Sequence, residues 1–280
     1  MFEIREFSAD DIEYALALTN LVGWGYSKKD FRWMMDFEPK GCFIAIKDNE
    51  RVGITTTITY EKLGWIGNVI VSPKFRRKGI AAKLVNHALE HLKSREIGFI
   101  GLYSYLETSN LYRNLGFKED ECFTELCGIG SSFGVKDVRS IHSGDLNKIE
   151  EYDSNCFGFN RKKVLSRIFN DFKDLCYLMV PDNEILGYIM GTKSNDEVEI
   201  GPWIVNPKYD GELELLKAIL NRERGKKINL GVPTNNSELI DKLKKMNFEK
   251  NFDVIRMFYK GIRPTMKDNF ILAIESLERG

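Results

Sequence analysis

Hydrophobic and polar residues follow each other in patterns that predict alternating strands and helices along the whole chain. Residues 2–7, FEIREF, alternate as a short strand, and residues 8–11, SADD, supply an N-cap and an acidic first turn for a helix. From Ile80 onward apolar residues recur at helical spacing. Further predicted elements are helices over 28–37 and 109–114 and strands within 42–46, 51–60, 65–71 and 98–105. The interleaving predicts a mixed α/β fold with helices covering a sheet.

The second half of the chain repeats the first at a constant offset of 134 residues. The segments that match at this offset are CFIAIKDNERVG (42–53) with CYLMVPDNEILG (176–187), IREFSADDIE (4–13) with VRSIHSGDLN (138–147), and VSPKFRRKGIA (71–81) with VNPKYDGELEL (205–215). One offset across separate segments predicts a tandem duplication. We expect a first copy, residues 1–134, and a second copy, residues 135–280, each with the same elements, including a turn at Asp48-Asn49 and again at Asp182-Asn183.

Composition and charge narrow the class of protein. The 280 residues are 43% hydrophobic, and 41 basic residues balance 41 acidic ones, so no overall basic charge favours nucleic acid. No apolar run approaches the roughly 20 residues that span a bilayer. Five scattered cysteines, with no C-x-x-C pair and no leading signal segment, predict a cytoplasmic protein. His87 and His91 have a spacing that can bind a metal, but no third ligand lies nearby, so solvent-exposed helix positions are favoured and no metal is expected.

Residues 76–81, RRKGIA, form what we call the basic glycine loop. The loop follows an apolar strand that ends at Pro73, and it leads into the helix that begins near Ile80. Free backbone N–H groups, the positive end of the helix dipole and three cations therefore coincide at one place. Gly79 leaves the backbone open to close approach. This arrangement predicts a phosphate or diphosphate site, although neither the nucleoside-triphosphatase loop nor the dinucleotide fingerprint is present.

These residues resemble the GNAT superfamily of N-acetyltransferases. Its cofactor motif, [RQ]-x-x-G-x-[GA] after a strand, matches Arg76-x-x-Gly79-x-Ala81, and residues 110–117, NLYRNLGF, are similar to the family's L-Y-x-x-x-G-F signature. The repeat resembles a subgroup with tandem GNAT domains whose second domain is degenerate. The resemblance implies two GNAT-like domains, 1–134 and 135–280, each with a mixed, mostly antiparallel sheet, flanking helices and a splayed central strand pair.

The resemblance also implies acetyl-CoA as donor and a primary amine, on a small molecule or a protein, as acceptor. Pantetheine would lie along the backbone of Val69, Ile70 and Val71, and the diphosphate would rest on the basic glycine loop. The implied cofactor-binding residues are Val69, Ile70, Val71, Arg76, Arg77, Lys78, Gly79, Ile80 and Ala81.

Tyr112 occupies the position at which the family places a proton donor for the departing thiolate, with a packed aromatic as the alternative. No general base stands out: for Glu107, Glu61 and Glu199 alike a surface carboxylate is the favoured interpretation, and Glu107 is named as the candidate base. The loop GWGYS (23–27) is expected to form the acceptor side through Trp24 and Tyr26. Trp65 and Trp203 are further candidates, with core packing as the alternative for each tryptophan.

The second copy keeps the frame of the basic glycine loop and loses its charge. The corresponding loop carries Asp210, Glu212 and Glu214, and Leu213 replaces Gly79, so we expect repulsion of a diphosphate and one coenzyme per chain. We further expect the second copy to close the acceptor side of the first. A catalytically silent acyl-CoA-binding or regulatory module is the alternative function. The acceptor, the acyl length and the choice of monomer or homodimer stay open.

Overall fold

The computed structural model describes residues 1–181 and 184–280 and divides them into two compact units. Unit 1 comprises Met1–Asp120, Arg256–Arg263 and Leu277–Gly280, and unit 2 comprises Glu121–Ile255 and Pro264–Ser276. Each unit is therefore completed by residues that are distant in sequence. The predicted boundary between residues 134 and 135 separates the two copies of the sequence repeat. It stays a prediction.

Helices and strands alternate through both units. The helices are α1 (Ile12–Leu21), α2 (Lys28–Phe37), α3 (Ile80–Ser94), α4 (Ser109–Asn114), α5 (Leu146–Phe157), α6 (Lys162–Phe172), α7 (Glu212–Arg222) and α8 (Ser237–Lys245). The strands are β1 (Phe2–Glu6), β2 (Cys42–Lys47), β3 (Glu50–Tyr60), β4 (Leu63–Val71), β5 (Phe99–Tyr105), β6 (Phe117–Ile129), β7 (Val138–Ser140), β8 (Tyr177–Met179), β9 (Gly187–Ser194), β10 (Glu197–Val205), β11 (Lys227–Pro233), β12 (Glu249–Tyr259) and β13 (Ile271–Ala273).

The sheet of unit 1 has the strand order β1-β2-β3-β4-β5, followed by the 256–259 part of β12 and the 117–120 part of β6. Strands β1 to β4 pair antiparallel, and β4 pairs parallel with β5. Helices α1 and α2 bury apolar side chains against one face, where Ile44, Ile54 and Ile70 meet Phe31. Helix α3 covers the other face through Leu84 and its neighbours. The helix thus exposes its start at the end of β4.

Unit 2 has the order β7-β8-β9-β10-β11, followed by the 121–129 part of β6 and the 249–255 part of β12. Strands β10 and β11 pair parallel and the remaining registered pairs are antiparallel. One short strand, β13, lies off this order and pairs with β10. The core is formed by the apolar faces of α7 and α8 on the sheet, with Trp203 and Phe248 among its largest side chains.

The predicted mixed α/β fold, with two GNAT-like halves, is confirmed. The helices predicted over 28–37 and 109–114 are α2 and α4, with the same bounds. The second predicted turn, Asp182-Asn183, lies outside the described residues. Within the described part of the chain, no helix has both the length and the apolar character to cross a membrane. The same residues contain no group of three or more potential metal-ligating side chains.

Candidate active site

Strands β4 and β5 of unit 1 begin side by side and then diverge. Their parallel pairing extends from Leu63–Phe99 to Trp65–Gly101, whereas β4 continues along β3 as far as Val71. The β3–β4 register shifts next to Thr56, and Asn68 has a φ of 52° at that irregularity. Such a β-bulge bends a strand and re-aims its groups. Residues 66–71 of β4 therefore have no registered pairing with β5, and we call the gap between the two strands there the β4–β5 cleft.

The basic glycine loop carries an uncapped helix start beside this cleft. Gly79 is the N-cap of α3, with φ 75° and ψ 6°, and no side chain caps the helix. The first main-chain hydrogen bond of the helix joins the Lys83 amide to the Gly79 carbonyl at 3.2 Å, so the amides before it point out of the helix end. A Cβ at Gly79 would meet nothing within 4 Å. Glycine is therefore favoured here by the left-handed backbone rather than by lack of space.

The three cations of the loop have different surroundings. Arg76 donates from Nε to the Val71 carbonyl at 3.1 Å, which ties the loop to the end of β4. Lys78 donates to the Lys74 carbonyl at 3.3 Å and lies 5.2 Å from the Phe75 ring centre. Arg77 is exposed and has a φ of 62°. An anion at this helix start would thus meet backbone amides flanked by solvent-exposed arginine and lysine side chains.

The predicted catalytic residues lie close in sequence and differ in exposure. Tyr112, in α4, is buried, and its ring packs edge-to-face on Phe117 with centroids 6.1 Å apart. Burial raises the pKa of the Tyr112 hydroxyl well above its ordinary value, so the group is a protonated acid at neutral pH. No hydrogen bond to this hydroxyl occurs among the described residues. Glu107 is exposed on the turn before α4.

The loop between α1 and α2 lies beside the end of β5. Gly23 and Gly25, with φ of 74° and 65°, flank Trp24 and allow the chain to turn twice. Trp24 donates from Nε1 to the Tyr105 hydroxyl at 3.0 Å, and Tyr26 packs on Trp24 with ring centres 6.0 Å apart. Both aromatic residues are half-buried. The structure therefore brings Trp24 and Tyr26 to the end of the diverging strand pair.

The other aromatic and acidic candidates are distributed differently. Trp65 is buried in unit 1, and Trp203 is buried in the core of unit 2, where its large ring packs among aliphatic side chains. Glu61 is exposed at the turn between β3 and β4, with a φ of 54°. Glu199 lies on β10 of unit 2. Core packing, the alternative considered for Trp203, is what unit 2 shows.

In unit 2 the corresponding cleft is filled by the chain itself. The parallel pairing of β10 and β11 ends at Glu199–Asn229, and β13 then pairs with β10 at Trp203–Ala273 and Ile204–Ile271. The Ile274 amide donates to the Gly231 carbonyl of β11 at 3.1 Å. At the 134-residue offset, Trp203 and Ile204 correspond to Val69 and Ile70. Strand β13 thus occupies the backbone positions that pantetheine is predicted to use in unit 1.

The acidic residues at the start of α7 are paired, which changes the reason for the predicted loss of cofactor. Glu212 accepts from Lys242 Nζ at 2.8 Å, and Glu214 accepts from Lys217 Nζ at 2.6 Å and from the Lys136 amide at 2.8 Å. These contacts offset much of the repulsion expected from the sequence. Leu213 packs against the core. Pairing of β13 with β10 is therefore a second reason, independent of charge, to expect no coenzyme in unit 2.

Sequence reasoning missed the segments that reach these clefts from far along the chain. Neither β13 nor Leu277–Gly280, which belongs to unit 1, carries a recognisable motif. The one available signal was the glycine at position 67 and its counterpart at 201, since both lie where a backbone approaches closely. A Cβ at Gly67 would lie 2.6 Å from the Glu278 carbonyl oxygen, and one at Gly201 would collide with the Ile274 carbonyl.

Comparison with known proteins agrees with this geometry. Residues 11–117 match the model of the acetyltransferase (GNAT) family, and residues 149–272 match a model of an acetyltransferase (GNAT) domain. The holothin acyltransferase of a Pseudoalteromonas species is 24% identical over 271 residues, covering 96% of this chain and 90% of that protein. An uncharacterized N-acetyltransferase of Archaeoglobus fulgidus is 31% identical over 110 residues, covering 33% of this chain and 75% of that protein.

A solved structure extends the likeness to the whole fold. An acetyltransferase-like chain of Pyrococcus horikoshii superposes with a TM-score of 0.82 at 20% identity, covering 100% of this chain and 96% of the other. At that identity the match shows the fold alone. Together with the two family models, which fall one in each half, it agrees with a duplication of one GNAT unit. The chain belongs to the GNAT family of acetyltransferases, with two such domains in tandem.

Proposed function

We propose that unit 1 transfers an acetyl group from acetyl-CoA to a primary amine by direct attack within a ternary complex. Membership of the GNAT family implies acyl transfer from an acyl-CoA to an amine; the acetyl donor, the direct attack and the site residues are our proposal. The observation that carries it is the divergence of β4 from β5 beside an uncapped helix start with a left-handed glycine. Donor and acceptor would meet at the bulge in β4.

The coenzyme would be held mainly by backbone groups. Pantetheine would lie along Val69, Ile70 and Val71 in β-like hydrogen bonding, and an amide near the bulge would polarise the thioester carbonyl and stabilise the oxyanion. The diphosphate would rest on the amides from Arg77 to Ala81, with the side chains of Arg77 and Lys78 adding attraction. Arg76 would act through the loop, because its guanidinium already braces Val71.

Tyr112 would give its proton to the departing thiolate. The residue is buried, its hydroxyl has a raised pKa, and it lies at the L-Y-x-x-x-G-F segment that follows β5. An acid at this position typically contributes 10²- to 10⁴-fold in rate. Trp24 and Tyr26 would form the acceptor wall, as their contact with the end of β5 supports. Glu107 is exposed, so as a base it would act through water.

Two measurements on the full chain test the proposal. Isothermal titration calorimetry with acetyl-CoA should detect binding, and release of free thiol should follow when tyramine, spermidine or an alanine-initiated hexapeptide is added. Failure to bind acetyl-CoA would refute the proposal. Binding without transfer to any amine would favour the silent acyl-CoA-binding module instead.

A further inference from the structure

The segment Leu277–Gly280, which we call the closing segment, is fixed on the sheet of unit 1. The Trp65 indole donates to the Leu277 carbonyl at 3.2 Å, and the Tyr60 hydroxyl donates to the Arg279 carbonyl at 2.8 Å. Trp65 and Tyr60 are themselves buried. The segment is therefore held in place on this face of unit 1 by hydrogen bonds from buried side chains.

Its contact with β4 lies directly before the bulge. A Cβ on Gly67 would stand 2.6 Å from the Glu278 carbonyl oxygen and 2.7 Å from both Cα and Cβ of Glu278, so only glycine leaves room for the segment. Asn68 follows, with its φ of 52°. If the proposed function holds, on which this inference rests, the thioester lies beside Asn68 and Val69. Glu278 is then within one residue of the reacting carbonyl along β4.

Glu278 also lies on the face from which the amine would approach. Gly67 pairs with Thr56, and Thr56 pairs with Cys42, which packs in the core beneath α1 and α2. Residues paired across antiparallel strands share a face of the sheet. Glu278 is thus on the α1–α2 side, the side that carries the loop with Trp24 and Tyr26.

The chemistry of this spot suits an amine. Glu278 is 8% exposed and forms an ion pair with Arg279, whose guanidinium lies 5.9 Å from the Trp33 ring centre. Asn68 is 4% exposed, and its Oδ1 has no hydrogen-bond partner among the described residues. Buried polar atoms without partners are uncommon in folded proteins. A carboxylate and an unfilled amide oxygen beside one bulge match the donors of an ammonium group.

We propose that Glu278, in place of the exposed Glu107, is the carboxylate that receives the acceptor's amine. The ammonium gives one proton to Glu278, and the nitrogen lone pair then forms the C–N bond as the C=O π bond of the thioester opens to an oxyanion. The carbonyl re-forms as the C–S bond breaks, Tyr112 protonates the departing thiolate, and a second nitrogen proton passes to Tyr112. Glu278 then releases its proton to solvent. Asn68 Oδ1 accepts a hydrogen bond from the nitrogen throughout, and the ion pair with Arg279 holds the carboxylate in place.

The test compares full-length variants on the fastest acceptor among tyramine, spermidine and the hexapeptide. Glu278→Gln should lower kcat at least about 100-fold, as loss of a proton acceptor typically does, while the Kd for acetyl-CoA stays within about 2-fold. Glu278→Ala should be partly restored by added formate, a response that a purely structural residue would not give. Glu275→Gln, a buried carboxylate three residues earlier, is the matched control and should be unaffected.

Glu278→Gln removes a carboxylate that pairs with the buried Arg279, and loss of such a pair can prevent folding. The double variant Glu278→Gln/Arg279→Met removes both charges and should bind acetyl-CoA normally yet remain about 100-fold slow. If the double variant transfers acetyl groups as fast as the wild type, or if formate does not restore Glu278→Ala, Glu278 does not have this role. Either result would leave the acetyltransferase proposal intact. Absence of acetyl-CoA binding by the wild-type chain would instead overturn both.

Discussion

The two units contain the same diverging strand pair, and they differ in what lies between the strands. In unit 1, the registered pairing of β4 with β5 ends at Trp65, and among the described residues no other strand pairs with β4 beyond that point on this side. In unit 2, β10 leaves β11 after Glu199 and β13 takes the vacated hydrogen-bonding positions. Unpaired strand edges are costly to bury and prone to non-native pairing. In unit 1 the unpaired backbone groups of β4 can bind a ligand, as we propose. In unit 2 the equivalent groups of β10 pair with β13.

The same contrast holds at the helix that follows. Helix α3 starts at a left-handed glycine without a capping side chain, whereas α7 starts at acidic residues paired with lysines. Acidic side chains at a helix N-terminus complement the dipole and stabilise the helix. The second copy therefore gains stability at a helix start that the first copy leaves without a capping side chain.

Gly79→Glu should have the largest effect, because it makes the start of α3 resemble that of α7. A carboxylate would face the diphosphate at close range and the residue would be strained at φ 75°. We expect the Kd for acetyl-CoA to rise about 10³-fold, or about 4 kcal/mol, by calorimetry. Leu213→Gly is the matched change in unit 2 and should create no new binding. An unchanged Kd in Gly79→Glu would remove the basis of the comparison.

The Arg–Asp pairs that cap the first helix of each copy should differ in strength. Asp11 is fully buried between Arg5 at 2.7 Å and Arg51 at 2.8 Å, and Asp145, bound by Arg139 at 2.7 Å, is partly exposed. Asp11→Ala should lower the free energy of unfolding by about 3 kcal/mol, because the buried carboxylate accepts hydrogen bonds from Arg5, Arg51 and the Ser8 amide that alanine cannot accept. Asp145→Ala should cost about 1 kcal/mol. Urea denaturation at pH 7 measures both, and equal losses would contradict the difference in burial.

The pH dependence of this pair has a defined sign. The hydrogen bond from Arg139 lowers the pKa of the Asp145 carboxyl to about 2, below the roughly 3.9 of an unfolded chain. Its contribution is therefore complete above about pH 4 and is lost as the pH falls toward 2. Asp145→Asn should flatten the stability profile in that window, and a profile identical to wild type would argue against the pairing.

Tyr112→Phe removes the proposed acid and leaves the cleft in place. We expect kcat to fall about 100-fold, or about 2.7 kcal/mol, with the Kd for acetyl-CoA unchanged. Because burial raises the pKa of Tyr112, the loss should be the same from pH 6 to pH 8. A loss of binding equal to the loss of rate would indicate a packing role on Phe117 instead.

The smallest expected effect distinguishes charge from occupancy in unit 2. Glu212→Gln/Glu214→Gln removes the acidic charges but leaves β13 paired with β10. We expect one acetyl-CoA per chain, as for the wild type, in calorimetric titration. Two sites per chain in this variant would show that charge alone excluded the coenzyme.

Local patterns predicted the secondary structure well and the long-range pairing poorly. The capping sequence before α1, the spacing of Ile80 and Leu84 in α3 and the small residues near α4 act over a few residues, so the sequence displays them directly. The insertion of β13 beside Trp203 depends on segments about 70 residues apart, for which a single sequence carries no register signal. The basic glycine loop stands out in the sequence because its glycine and cations lie together, and its use as a phosphate site stays a prediction. Residues proposed for the acceptor side come from separate loops, so a single sequence does not show that they lie together.

The composition of unit 1 has a consequence for how the chain matures. Its sheet includes residues 256–259, and its face is covered by residues 277–280, so the first unit is finished by segments that leave the ribosome long after residue 120. During synthesis the sheet of unit 1 therefore stays incomplete until these segments have been made. Such an intermediate exposes hydrophobic surface that chaperones can bind and that can misassemble. A fragment expressed from residues 1–134 should accordingly be aggregation-prone, and coexpression of residues 135–280 should rescue its solubility.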